Sequence, residues 1–208
     1  WTRTGASNLS EILNLHPDIN YIAEPFHPKF GVQLDGADIP GLDEALANSW
    51  RQHNLIKHNH GLSVKQSEYL LRSSDSVILL WRANALQRAV SLQMAMQSKV
   101  WGVLDQPNSK EKYSGHEFAS IGIKLLQEEM LRYLGEVQHY QRFLAANEIR
   151  HIEIRYEDIY AADRTEDEKL ELIRTLVSFL GATENPQGEI IEKIKWRLNP
   201  ANTKQSND

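Results

Sequence analysis

Three stretches of the chain carry residue types that bind anions or move protons. The first is Arg3-Thr4-Gly5-Ala6-Ser7, which leads into an amphipathic segment. Gly5 permits a tight turn, and Ser7 offers both an N-cap and a hydroxyl donor. Successive N–H groups at the start of a following helix would form an anion cradle, aided by the helix dipole and by Arg3. The second is "LLWR" with the helical stretch after it, where Arg82 ends an apolar run. Ser91 follows within about 10 Å of helix rise, so a charged guanidinium fork and a hydroxyl could meet one phosphate. The third is "KHNHG", with Lys57, His58 and His60, to be weighed beside the carboxylate Glu24 of "EPF" as a source of a general base. Each stretch alone is better explained by an ordinary turn, a strand end in water or a solvated polar loop.

Composition narrows the chemistry. No cysteine occurs among the 208 residues, which excludes a disulfide framework, a thiolate metal site and a cysteine nucleophile. A formal net charge of −5 argues against a general nucleic-acid surface, so any anionic ligand must be held by a local group of Arg and Lys. No apolar run approaches the roughly 18 residues of a membrane span. The opening loop lacks the G-x-x-x-x-G-K-[ST] pattern of nucleotide triphosphatases, and no lysine stands in it. His58 and His60 would share one face of an extended segment, yet no third ligand stands at a recognised spacing, so no metal is expected.

The elements that must position these residues alternate. The patterns predict helices at 7–15, 46–50, 63–72, 85–100, 118–146, 170–180 and 188–198, and strands at 53–58, "DSVILLWR" and "IRHIEIRYED". Residues 26–42 and 102–117 read as loops. Strands separated by helices point to a single α/β domain over 1–208 with a mainly parallel sheet, in which ligands bind at the carboxyl ends of strands. His16, Trp81 and Trp196 read as structural, and Trp101 reads as a packing residue in preference to a stacking platform.

"RTGASNLSEILNLHPDINYIAEPF" resembles the amino-terminal signature of sulfotransferases that use 3′-phosphoadenosine 5′-phosphosulfate, the carbohydrate-type and bacterial members above all. The matching positions are Arg3, Thr4, Gly5, Ser7, His16, Pro17, Glu24 and Pro25, with Ala6 where a hydroxyl residue is usual. "LLWRANALQRAVSLQMA" is similar to the second cofactor element of that family, with Arg82 and Ser91 in place and Arg88 a weaker neighbour. "IEIRYEDIY" resembles a late strand and turn, where Tyr156, Glu157 and Asp158 fix the backbone near the cofactor.

The resemblance implies a P-loop-like three-layer fold, a central mainly parallel sheet flanked by helices. It implies 3′-phosphoadenosine 5′-phosphosulfate as cofactor, 3′,5′-diphosphoadenosine as product, no metal, and a hydroxyl acceptor on a saccharide, lipid or small metabolite. Cofactor-binding residues would be Arg3, Thr4, Gly5, Ala6, Ser7, Asn8, Arg82, Ser91 and Lys204. Glu24 would be the base, with His58 and His60 as rivals. A first strand before Arg3 and a longer carboxyl end are expected beyond the sequence. A cytoplasmic location is expected. A phosphate-loop phosphotransferase and a non-catalytic phosphoadenosine-binding relative are the alternatives.

Overall fold

The protein is described from a computed structural model that covers residues 3–26, 39–58, 62–101, 113–182 and 186–199. Its elements run α1 (Ala6–Leu13), β1 (Tyr21–Ala23), α2 (Ile39–Trp50), β2 (Leu55–Lys57), α3 (Val64–Arg72), β3 (Val77–Trp81), α4 (Ala85–Ser98), α5 (Ile123–Ala146), β4 (His151–Arg155), α6 (Tyr156–Tyr160), α7 (Glu166–Phe179) and α8 (Glu189–Leu198). The chain is therefore mixed α/β, as its alternation predicts. The described strands form two parallel pairs. β1 lies beside β2 with Tyr21 opposite Leu55 and Ala23 opposite Lys57. β3 lies beside β4 from Val77 opposite His151 to Trp81 opposite Arg155.

Alternation along β3 divides the core. Leu80 and the partly buried Ile78, with Ile152 and Ile154 of β4, pack against Leu9, Ile12 and Leu13 of α1 and against α7 and α8. Val77 and Leu79 face the other way onto Leu144 of α5, and Trp81 meets Tyr133 farther along that helix. Helices thus cover both faces of the β3–β4 pair. α1, of eight residues, is too short to hold itself in water. Its three buried aliphatic side chains, at about 1.5–3 kcal/mol each, are what keep it in place. A smaller cluster of Phe26, Leu42, Leu46 and Leu70 ties the Glu-Pro turn to α2 and α3.

Element ends depart from the predicted ones for local reasons. α7 begins four residues before Leu170, because the Thr165 hydroxyl accepts from the Glu168 N–H while the Glu168 carboxylate accepts from the Thr165 N–H at 2.8 Å. α2 begins at Ile39, not near Leu46, since Pro40 falls in a first turn that has no use for its missing N–H. β2 is shorter than 53–58, because the His53 N–H turns back to the Ser49 carbonyl at 3.1 Å. α5 starts at Ile123, after Gly122 holds an extended ψ of 135°. β1 has no counterpart among the predicted strands.

Candidate active site

Gly5 makes the opening turn. Its φ is 80°, and a Cβ there would stand 2.7 Å from the Tyr160 ring and 3.1 Å from that of Tyr156. No side chain but hydrogen fits that space. Gly5, and not Ser7, is the N-cap of α1, and it brings no side-chain cap; the first turn holds no acidic residue. Ser7 is instead exposed within that turn. The N–H groups of Ala6, Ser7 and Asn8 precede the first intrahelical acceptors, so among the described residues this helix end keeps its positive pole uncovered. Thr4 is buried. Asn8 turns its amide inward, donating to the Tyr160 hydroxyl at 3.0 Å and to the Arg197 carbonyl at 3.1 Å.

Arg82 immediately follows β3. The Tyr133 hydroxyl accepts from its backbone N–H at 2.6 Å and donates to its carbonyl at 3.2 Å. The guanidinium lies 4.3 Å above the Tyr156 ring. Only 8% of Arg82 is exposed, and its Nε has no hydrogen-bond partner among the described residues. Burial lowers the guanidinium from its ordinary value, against the opposing pull of Tyr156, Glu157 and Tyr133. A buried cation with a free Nε of this kind favours an anion beside it. Glu157 meanwhile accepts from the Ala83 and Asn84 N–H groups at 3.0 Å each, and Asn84 caps α4 through the Gln87 N–H.

These parts meet. Arg3 donates from Nε to the Ser91 hydroxyl at 2.9 Å, and from Nη1 to the Trp101 carbonyl. Burial pushes the Tyr156 phenol up, and the positive charges of Arg82 and Arg3 pull it back. Gly5 and Arg82 both stand against the Tyr156 ring, and Arg3 is joined to Ser91. Arg88 is committed elsewhere: it is buried over the Tyr133 ring at 4.5 Å and pairs with Glu129.

The second group stands at the ends of β1 and β2. Lys57 Nζ donates to Glu24 Oε1 at 2.5 Å, and the Glu24 N–H donates to the Lys57 carbonyl at 2.7 Å. Glu24 has a φ of 49°, a left-handed backbone that costs a non-glycine residue on the order of 1–3 kcal/mol and clusters at functional sites. His58 packs its ring against Phe26, 5.5 Å between centroids. His60 and Lys204 lie outside the described residues. Glu24 and Lys57 sit at the carboxyl ends of β1 and β2, Arg82 at that of β3, and Tyr156 at that of β4. Strand carboxyl ends are where open α/β sheets bind ligands.

The sequence model of the Stf0 sulphotransferases matches residues 54–182, more than half of the chain. The chain belongs to the Stf0 sulphotransferase family. No curated protein and no solved structure gives a significant match. The sulphotransferase match takes in Lys57, Arg82, Ser91 and Tyr156 and stops short of Arg3, Gly5 and Glu24. Geometry joins the two sets, Arg3 to Ser91 and Glu24 to Lys57. Membership makes the chain a sulfotransferase in the general sense. Among the described residues no helix is long and apolar enough to cross a membrane, and no group of three or more His, Asp or Glu is arranged to hold a metal ion.

Some roles differ from those read in the sequence. His16 is buried and accepts the Asp18 N–H on Nδ1 at 3.1 Å, so it shapes the turn after α1 and does not cap carbonyls through that atom. Trp101 and Trp196 are 44% and 50% exposed, not core residues. Sequence reasoning passed over Tyr133 and Tyr160 and did not foresee Lys57 as the partner of Glu24. The spacing of Tyr156 and Tyr160, four apart and therefore on one helix face, was the available signal for a ring pair; their rings lie 4.7 Å apart, tilted by 37°.

Proposed function

We propose that this sulfotransferase moves the sulfuryl group of 3′-phosphoadenosine 5′-phosphosulfate to the hydroxyl of a saccharide, lipid or small metabolite. The observation that carries the reading is Arg82, a buried guanidinium whose Nε has no partner among the described residues, beside a glycine turn that opens a helix with no side-chain cap. Two anion-seeking features side by side suit a nucleotide with phosphate at both its 3′ and 5′ positions. Arg82 and Ser91 would hold the 3′-phosphate. Arg3 and the backbone of Thr4, Gly5, Ala6, Ser7 and Asn8 would hold the 5′-phosphosulfate, with Lys204 as a further contact. When bound, the nucleotide supplies a sulfuryl group on a phosphate leaving group, and no metal is needed.

The residues of the chain then orient and deprotonate. Glu24 would take the acceptor proton, His58 and His60 being the rival bases. Positive charge from Arg3 and Arg82 would neutralise the leaving diphosphoadenosine. The fold reading that goes with this function is a P-loop-like three-layer single domain. In it the two strand pairs belong to one central sheet, with the helices on both faces of β3–β4 in support. A cytoplasmic location fits the absence of cysteine.

Calorimetry tests the reading. 3′,5′-Diphosphoadenosine should bind well, ATP much more weakly and with no response to Mg²⁺. Arg82→Ala should weaken diphosphoadenosine about tenfold to a hundredfold, from the 1.5–3 kcal/mol of a charged hydrogen bond. Adenosine 5′-phosphosulfate, which lacks the 3′-phosphate, should lose little. Tighter Mg·ATP binding would favour a phosphotransferase, and tight diphosphoadenosine binding without turnover on any hydroxyl would favour a non-catalytic relative.

A further inference from the structure

We infer that Lys57 is the positioning residue that keeps Glu24 a charged, aimed base, an assignment that rests on the reading of Glu24 as base. Parallel pairing sets Ala23 opposite Lys57, and the Glu24 N–H to Lys57 carbonyl bond ties the two main chains one step farther on. The left-handed φ of Glu24 then bends the chain out of β1, where its carboxylate meets the Lys57 ammonium at 2.5 Å. Both side chains are shielded, Lys57 at 10% exposure and Glu24 at 17%. Shielding disfavours the charged form of a carboxylate, and an adjacent ammonium favours it. Strain in the backbone and a close ion pair thus converge on one carboxylate, in a place where a lone charge of either sign would be costly.

The pair has a consequence for turnover. As the acceptor oxygen bonds to sulfur, its proton passes to Glu24 Oε, and the bonding pair of the broken S–O bond stays on the leaving phosphate oxygen. Lys57 remains protonated, so the pair goes from net zero to net +1. That state favours release of the proton from Glu24 to water and restores the carboxylate. Lys57 touches neither acceptor nor nucleotide in this account; it acts through Glu24. Among the described residues, His58 is a further titratable side chain at this strand end, with its ring against Phe26.

Carboxyl-carbon NMR on the ligand-free protein reads the effect directly, the Glu24 signal being the one absent from Glu24→Gln. In Lys57→Met that signal should titrate about 1–3 pH units higher than in the wild type, and Lys57→Arg should restore it. The second readout is release of 3′,5′-diphosphoadenosine from its 5′-phosphosulfate with water or ethanol as acceptor. Lys57→Met should lower kcat a few-fold near neutral pH, and more as the pH falls through the raised Glu24 titration, without weakening diphosphoadenosine binding, and should add almost nothing in a Glu24→Gln background, as coupled residues do. An unmoved Glu24 titration, or an equal loss in the Glu24→Gln background, overturns the role of Lys57 and leaves Glu24 as base. Wild-type turnover by Glu24→Gln overturns the base reading itself. If Lys57→Met does not bind diphosphoadenosine, Lys57→Gln replaces it under the same criteria.

Discussion

Two helices bring their N-termini to the candidate site, and they are finished in opposite ways. α4 is closed by the chain itself: Glu157 accepts from the N–H groups of Ala83 and Asn84, and the Asn84 side chain accepts from Gln87. α1 is capped by Gly5 alone, with no side-chain acceptor and no acidic residue in its first turn. The positive pole of α4 already faces an internal carboxylate, whereas that of α1 does not. On the proposed function, phosphate recognition is divided by chemistry. Main-chain N–H groups then serve the 5′ end at α1, and side chains, Arg82 and Ser91, serve the 3′ end beside α4.

The largest expected effect comes from spoiling the open terminus. Gly5→Ala places a methyl 2.7 Å from the Tyr160 ring and holds an alanine at a φ of 80°. The left-handed backbone costs about 1–2 kcal/mol and the overpacking about 1–3 more. Diphosphoadenosine affinity should fall on the order of a hundredfold in calorimetry, with a lowered thermal midpoint. Unchanged affinity would mean that α1 does not cradle the nucleotide and that the contrast with α4 has no bearing on binding.

The closed terminus should respond differently. Glu157→Gln swaps one acceptor oxygen for an NH₂ that faces a backbone donor, which should cost about 1–3 kcal/mol of stability in urea denaturation. Diphosphoadenosine binding should fall only a few-fold, because Arg82 keeps its Tyr156 platform and its Tyr133 bracket. A binding loss as large as that of Gly5→Ala would show that α4 takes part in recognition through its backbone after all.

The contrast also marks how far the sequence could be read. "VILLW" announces a buried strand and "GASNLSEIL" a turn into an amphipathic helix, because local periodicity and backbone preference decide both. The placing of Ser91 against the opening loop was legible only through the pattern of a family. What periodicity does not carry is the choice of partner across long separations. Glu157 reaches Ala83, Lys57 reaches Glu24, and Arg3 reaches Ser91, each selected by packing of elements that no local pattern relates. β1 was missed since three residues are too few to alternate, and it exists because β2 lies beside it. The capping box that starts α7 was visible in "TEDE" and was simply passed over for the apolar repeat after it.

The smallest effect concerns the helix that serves both termini. α6 supplies Tyr156, against which Gly5 and Arg82 both stand, and Glu157, which closes α4. Its own start is held by Asp158, which accepts from the Arg155 backbone N–H at 3.0 Å and pairs with the Arg155 guanidinium at 2.8 Å. The Arg155 hydrogen bond, opposed in part by burial, holds the Asp158 carboxyl below its ordinary 3.8. A carboxylate lowered in the folded state contributes stability that is complete above its ordinary value and is lost as pH falls through the folded one. The Arg155 side chain is 52% exposed, so solvent screening limits the contribution to about 1 kcal/mol. Asp158→Asn should therefore shift the urea midpoint measurably near pH 7, by less as the pH drops below 3.8, and not at all once the wild-type carboxyl is protonated. A shift that stays constant down to about pH 2 would mean that the residue acts through shape, not charge. In that case α6 is held by the shape of Asp158 and by packing of Ile159 and Tyr160, and the two helix termini share a shelf that acid does not loosen.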